Sequence, residues 1–135
     1  MKDRIATSFA RQSMMKTFGA KLDEVREGRV ILSAPILPGS RQQQGFAHAA
    51  LTFGLGDSAA SYAALTTLPE DQEVVTAEIK INLTTPANGE RLIAKGRVIK
   101  PGRRLIVVSS EVFTMTNGTE TLVAVLQGTM VPVNL

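Results

Sequence analysis

One run of the chain, GFAHAALTFGLGDSAASYAA (residues 45–64), constrains its fold more than any other. The run predicts a helix from about His48 to about Thr66, which ends before Pro69. Ten of the residues from 48 to 64 are Ala, Gly or Ser. Because these side chains are small, a curved sheet can pack closely around the helix. A solvent-exposed helix would not need such small residues. We therefore expect a buried central helix.

The segments on either side of this helix predict an antiparallel α+β fold in one domain, residues 1–135. The N-terminal segment has apolar residues at about helical spacing and predicts a first helix of about four turns that ends at Gly19. Two extended segments around Glu27-Gly28 follow. After the central helix come four strands, separated by turns at 86–89, 101–102 and Asn117-Gly118. Strands joined by short turns pair in antiparallel fashion.

The strand that follows the central helix alternates between apolar and polar residues, which predicts one buried and one exposed face. The expected buried face is Val75, Ala77, Ile79, Ile81 and Leu83; the expected exposed face is Thr76, Glu78, Lys80 and Asn82.

Composition excludes several classes of function. The chain has no cysteine and one histidine, which excludes disulfides and thiolate metal sites and argues against a histidine-rich zinc site. The net charge is +3, but the basic residues are scattered and the aromatics are five Phe and one Tyr. This pattern favours a small anionic ligand over nucleic acid. No apolar run approaches the roughly 20 residues of a membrane span, and no secretory leader is evident, so we expect a cytoplasmic location and no membrane partner.

The central helix contains the only histidine and a single carboxylate. His48 and Asp57 are nine residues apart, which on a regular helix is half a turn and about 13 Å along the axis. They therefore cannot act on one atom within a single chain. In an antiparallel pair of such helices from two subunits, however, the front of one helix approaches the middle of the other, and a two-fold interface creates two identical shared sites.

Such a shared site would have two chemical components. The helix start offers unpaired N–H groups and a positive dipole, so the Ala49 amide or its neighbour could hold an oxyanion. Asp57 from the other subunit could attack a carbonyl or activate a water. Simpler interpretations stay open: Asp57 could reach solvent or bond nearby backbone, His48 could only start the helix, and Thr76 could be a solvent-exposed strand residue.

The order of elements and the residues Gly45-Phe46-Ala47-His48-Ala49-Ala50, followed by Asp57, resemble the hotdog-fold acyl-CoA thioesterases. The most similar branch is the phenylacetate-degradation type, which has a Gly, then His-Gly-Gly at the helix start and Asp nine residues after the His. Gly45, His48 and Asp57 fall on these positions, and the segment 74–87 resembles the family's strand into a Ser/Thr-Pro-Ala turn. The resemblance covers about residues 20–132 and implies an antiparallel sheet wrapped around a long central helix, with an additional N-terminal helix here.

The resemblance implies hydrolysis of an acyl-CoA thioester without a metal or cofactor. Asp57 would be the nucleophile or general base, and the Ala49 amide would be the oxyanion donor. His48 would order the helix start, and Thr76 would orient the attacking water or the carboxylate. Gln42, or one of the two glutamines after it, would take the place of the family's Asn near the thioester carbonyl.

The same resemblance implies substrate contacts and an assembly. Gly45 would border the bound thioester, and Phe53 would either shape an acyl pocket or only fill the core. Arg103 and Arg104, in a basic turn between strands, are candidates for the phosphates of coenzyme A, and the simpler alternative is that they belong to a solvated hairpin tip. The assembly would be a homodimer or a dimer of dimers.

The chain departs from the family pattern at Ala49-Ala50, which replaces Gly-Gly. The backbone amide of Ala49 is kept, but the added methyl groups narrow the path by which a thioester reaches it. A non-catalytic module that binds or senses acyl-CoA is therefore an alternative. A hotdog dehydratase is a second alternative, which the position of His48 disfavours.

Overall fold

The computed structural model describes all residues, Met1–Leu135. The elements, in chain order, are α1 (Lys2–Arg11), α2 (Ser13–Phe18), β1 (Lys21–Arg26), β2 (Arg29–Pro35), a 3₁₀ turn (Pro38–Ser40), α3 (Ala49–Leu65), β3 (Gln72–Leu83), β4 (Arg91–Lys100), β5 (Ile106–Thr116) and β6 (Thr119–Asn134). The strands form one six-stranded sheet in the order β1-β2-β4-β5-β6-β3, and every pairing is antiparallel. None of the helices combines the length and apolarity that crossing a membrane requires.

The sheet wraps around α3, and small residues at the contact make this possible. Gly96 of β4 lies so close to the helix that a Cβ there would be 2.3 Å from the carbonyl carbon of Ala59 and 2.5 Å from the amide nitrogen of Ala60. Gly56 of α3 likewise leaves room for the side chains of Leu126 and Val112. The apolar side chains of the sheet's inner face and of α3 form the core. The predicted α+β architecture, an antiparallel sheet around a long central helix, is confirmed.

The N-terminal segment forms two helices, so the expectation of one continuous four-turn helix is wrong. Gln12 adopts an extended conformation between α1 and α2, and its side-chain amide donates a hydrogen bond to the Tyr62 hydroxyl at 2.7 Å. Phe9 also packs against the Tyr62 ring. The break therefore lets α1 dock on the C-terminal half of α3. Gly19 ends α2 in the left-handed conformation, as predicted.

A β-bulge changes the expected faces of β3. The register of β3 against β6 shifts between Thr76 and Glu78, so Ala77 is an extra residue and the alternation changes phase there. Thr76 consequently points to α3, and Val75 is 48% exposed. The predicted burial of Val75 and of Ala77 is wrong for this reason, and Ala77 is also exposed. Leu83, which was also expected inside, is 55% exposed at the end of the strand.

Candidate active site

Asp57 lies at the middle of α3 and is partly buried. Its Oδ1 accepts a hydrogen bond of 2.8 Å from the Thr76 hydroxyl of β3. Burial raises the pKa of the Asp57 carboxyl above its ordinary value, and the hydrogen bond from Thr76 opposes that shift. The carboxylate is therefore a stronger base than an exposed aspartate and has a fixed orientation.

Two further side chains complete a small cluster around this pair. Ser61, one turn after Asp57, places its hydroxyl 3.4 Å from the Thr76 hydroxyl and 3.5 Å from the Met130 sulfur. The Thr76 hydroxyl is 3.3 Å from the same sulfur, and Met130 is fully buried. The sequence interpretation missed both residues. The i, i+4 spacing of Asp57 and Ser61 was a usable signal for one of them, whereas the distant Met130 had none.

The start of α3 is organised by His48, which is the N-cap residue. Its Nδ1 accepts a hydrogen bond of 2.9 Å from the Ala50 amide, and its carbonyl accepts from the Leu51 amide at 3.0 Å. The His48 side chain therefore satisfies one of the amides that the helix itself leaves unpaired at its start. Ala49 is an exposed residue, and its amide has no acceptor within the chain. The helix start therefore presents one free N–H donor.

The loop before α3 is held by hydrogen bonds from its own side chains. Arg41, which sequence reasoning missed, donates to the carbonyls of Gly45 at 2.6 Å and Ile36 at 2.7 Å. The Gln42 side-chain oxygen accepts from the Gln44 amide at 2.5 Å. Gly45 has a φ of +88°, a conformation that favours glycine. Gln42 and Gly45 thus shape the loop that leads into the helix start.

A cleft of about 450 Å³ opens beside this loop and the start of α3. Its walls come from the loop, the first turn of α3, the end of β3 and the segment after it. The lining includes Gln42, Gln44, Phe46, His48, Ala49, Thr52 and residues 83–87. The structure thus brings Gln42, His48 and Ala49 together around one cavity.

The other candidate residues do not line this cleft within the same chain. Asp57 and Thr76 pair at the middle of α3, outside the lining. Phe53 is partly buried and packs against the core. Arg103 and Arg104 are exposed in the loop between β4 and β5, and Arg103 borders a depression with Thr67 beyond the C-terminal end of α3. Since α3 has 17 residues and is about 25 Å long, both arginines lie far from His48.

One stripe of α3 is not covered by the sheet. Ala50, Phe53, Asp57 and Ser61 follow the i, i+3, i+7, i+11 spacing of a single helix face, and all four are exposed or partly buried. Most other residues of the helix from Leu51 onward are buried. The carboxylate therefore lies on the one face of α3 that another molecule could cover.

Comparisons with known proteins place the chain in a family. The model of the thioesterase superfamily matches residues 44–121. A protein of Saccharolobus solfataricus named for a proposed esterase activity is 37% identical over 87 residues, which are 64% of this chain and 55% of that protein. The chain thus spans about half the length of this relative.

Solved structures agree with that match. A thioesterase family protein from Silicibacter pomeroyi is 36% identical, with a TM-score of 0.97 over 99% of this chain and 98% of that one. The PaaI protein from the phenylacetic acid degradation operon of E. coli has a TM-score of 0.86 over 96% of this chain and 90% of that chain. At 18% identity this second likeness shows a shared fold alone. Since the superfamily match covers more than half of the residues, the chain belongs to the thioesterase superfamily, as its resemblance to hotdog-fold thioesterases predicted.

Proposed function

We propose that this chain hydrolyses acyl-CoA thioesters to the free acid and coenzyme A, at a site shared between two subunits. Asp57 of one subunit is the nucleophile or general base, and the Ala49 amide of the other is the oxyanion donor. The observation that carries the proposal is the Asp57–Thr76 pair, a partly buried carboxylate held on the uncovered stripe of α3.

The two halves of the proposed site supply complementary chemistry. Asp57 takes a proton from water or attacks the carbonyl carbon, and the raised pKa of its carboxyl makes it a better base. The free Ala49 N–H stabilises the negative charge that develops on the carbonyl oxygen. A thiolate leaves readily without protonation, so no general acid is needed. One carboxylate and one oxyanion donor are sufficient for this reaction.

Two observations support a second subunit at the site. The cleft at the start of α3 holds the oxyanion donor but not Asp57, and the uncovered stripe that bears Asp57 has room for a partner. Strand β3 is also an edge of the sheet, so its outer side has unpaired backbone groups. A homodimer, or a dimer of such dimers, satisfies both features.

The remaining candidates take supporting roles in this arrangement. His48 and Gln42 fix the helix start and its loop, and Gly45 permits the loop's turn. An antiparallel pair of α3 helices brings the C-terminal end of one helix near the start of the other. Arg103 and Arg104 of one subunit then approach the other subunit's cleft, where they bind the phosphates of coenzyme A, while Phe53 borders the acyl group.

The test is thiol release from a panel of acyl-CoA substrates by the wild-type chain and by Asp57→Ala and Asp57→Asn. We expect activity on at least one substrate and a loss of at least about 10²-fold in both variants, the lower end of what a positioned base contributes. Asp71→Asn, at an exposed carboxylate outside the site, is the matched control and should retain full activity.

Two results would contradict the proposal. Thiol release that survives Asp57→Ala would place the chemistry elsewhere. Tight acyl-CoA binding without release from any substrate would instead support the binding or sensing module, for which the exposed methyl groups of Ala49 and Ala50 at the helix start provide a reason.

A further inference from the structure

We propose that Ser61 is a positioning residue for Asp57 and acts through the Thr76 hydroxyl rather than on the substrate or water itself. This inference rests on the proposed function, because it concerns the same carboxylate. Its basis is the hydrogen-bond order of the cluster of Asp57, Ser61, Thr76 and Met130.

The Thr76 hydroxyl has a single proton, and the ionised Asp57 carboxylate is the strongest acceptor within its reach. With that proton donated to Oδ1 at 2.8 Å, the Thr76 oxygen offers only lone pairs to its other neighbours. In the pair with Ser61, at 3.4 Å, the Ser61 hydroxyl is then the donor, because the Met130 sulfur that it also reaches at 3.5 Å is a weaker acceptor than an oxygen. The order of donation is therefore Ser61 to Thr76 to Asp57.

The Met130 sulfur does not disturb this order of donation. The sulfur contacts both hydroxyls, at 3.3 Å from Thr76 and 3.5 Å from Ser61, and Met130 is fully buried. A thioether is only a weak acceptor, so it does not compete with the carboxylate for the Thr76 proton. The sulfur is thus a weak second acceptor for both hydroxyls, and Asp57 stays the preferred acceptor of the Thr76 proton.

The conformation of Ser61 itself is informative. A serine inside a helix commonly bonds to the backbone carbonyl four residues earlier, which here is the carbonyl of Asp57. The Ser61 hydroxyl makes no such bond, and its only hydrogen-bond partners are the Thr76 hydroxyl and the Met130 sulfur. Its hydroxyl is therefore oriented across the gap between α3 and β3. A donor at this point polarises the Thr76 hydroxyl and strengthens its bond to the carboxylate.

The experiment is a double-mutant cycle with Ser61→Ala, Thr76→Ala and the combination, measured as kcat and KM for an acyl-CoA that the wild type hydrolyses. We expect Ser61→Ala to lower kcat about 10-fold and leave KM within about twofold, since the loss is in orientation and not in substrate binding. In the Thr76→Ala background, Ser61→Ala should cause no further loss, because the residue through which it acts is absent.

Ser58→Ala is the matched control. Ser58 is a buried serine of the same helix, next to Asp57 in sequence, and its side chain is not in the cluster. This variant should keep wild-type kcat, and thermal unfolding of both serine variants shows whether either destabilises the fold.

Three outcomes would overturn the inference. If kcat of Ser61→Ala equals that of Ser58→Ala, Ser61 has no positioning role. If the losses from Ser61→Ala and Thr76→Ala multiply in the double variant, Ser61 acts independently of Thr76. In both cases the wild type still hydrolyses thioesters and the proposed function stands. If the wild type releases no thiol from any acyl-CoA, the proposed function fails and the inference fails with it.

Discussion

Burial makes ionisation of the Asp57 carboxyl unfavourable, so this residue affects the pH dependence of stability as well as the proposed catalysis. Its carboxyl pKa is raised above the ordinary value of 3.8, so the folded chain binds this proton more tightly than the unfolded chain. The free energy of unfolding consequently falls as pH rises through the folded pKa. Asp57→Asn cannot ionise, and its side-chain oxygen still accepts the Thr76 hydrogen bond.

We therefore expect Asp57→Asn to unfold a few degrees above the wild type at neutral pH and at the same temperature at pH values below about 3.8, where the wild-type carboxyl is protonated in both states. Thermal unfolding across this pH range measures the difference. A difference of the same size at every pH would mean that the Asn stabilises the chain for another reason.

At the scale of residues, the sequence predicts what lies within one helix and little of what crosses to another element. The positions of His48 and Asp57 follow from spacing alone, and the structure keeps them on different faces of α3. The alternation of the strand placed Thr76 on the exposed face, and only the bulge directs its side chain to Asp57. The contact of Met130 spans 54 residues from Thr76, which no local pattern predicts.

Helix α3 and strand β4 are in close contact at Gly96, and a side chain at this position should lower the free energy of unfolding. A Cβ at Gly96 would lie 2.3–2.5 Å from backbone atoms of Ala59 and Ala60, which no rotamer change can relieve. Gly96→Ala should therefore destabilise the fold by about 1–3 kcal/mol or more, as overpacking of a core does. The measurement is the midpoint of denaturant unfolding.

Gly39→Ala is the control for this substitution, since a Cβ there has nothing within 4 Å. It should change the unfolding free energy by no more than about 0.5 kcal/mol. Equal midpoints for the two variants would show that α3 is not packed against β4 as closely as the structure has it.

Element positions were predictable where the local pattern and the tertiary structure agree. The bounds of α3 were predicted to within about one residue, because a run of small residues, a capping histidine and a following proline all act locally. All six strands were likewise evident from alternation and turns. The break at Gln12 was not, because its side chain bonds to Tyr62, 50 residues away.

At the scale of the whole molecule, the oxyanion donor and the carboxylate of the proposed site lie at different positions along α3. The free Ala49 amide lies at one end of α3, and Asp57 lies at its centre. The proposed mechanism therefore needs two subunits, because a single chain holds both groups too far apart to act on one carbonyl. Catalysis by a dimer can therefore be tested without imaging the dimer.

Ala49→Pro removes the proposed oxyanion donor with little cost to the fold. Ala49 is the first helical residue, a position that favours proline, and His48 before it has the extended conformation (φ −64°, ψ 144°) that proline requires. We expect Ala49→Pro to lower kcat by about 10²–10³-fold, as loss of one oxyanion donor does, with an unchanged unfolding midpoint. Ala50→Pro is not a suitable control, because the Ala50 amide donates to His48.

Mixing the two inactive chains, Ala49→Pro and Asp57→Asn, under conditions that exchange subunits then tests the shared site. A mixed dimer has one site with both defects and one site with none, so an equal mixture should recover about a quarter of wild-type activity by random pairing in a two-fold assembly. Mass spectrometry of the intact dimers confirms the exchange. A site within a single chain would give no recovery, because each chain carries its own defect into every assembly. Recovery in the mixture with none in either parent is a result that only a site built from two subunits produces.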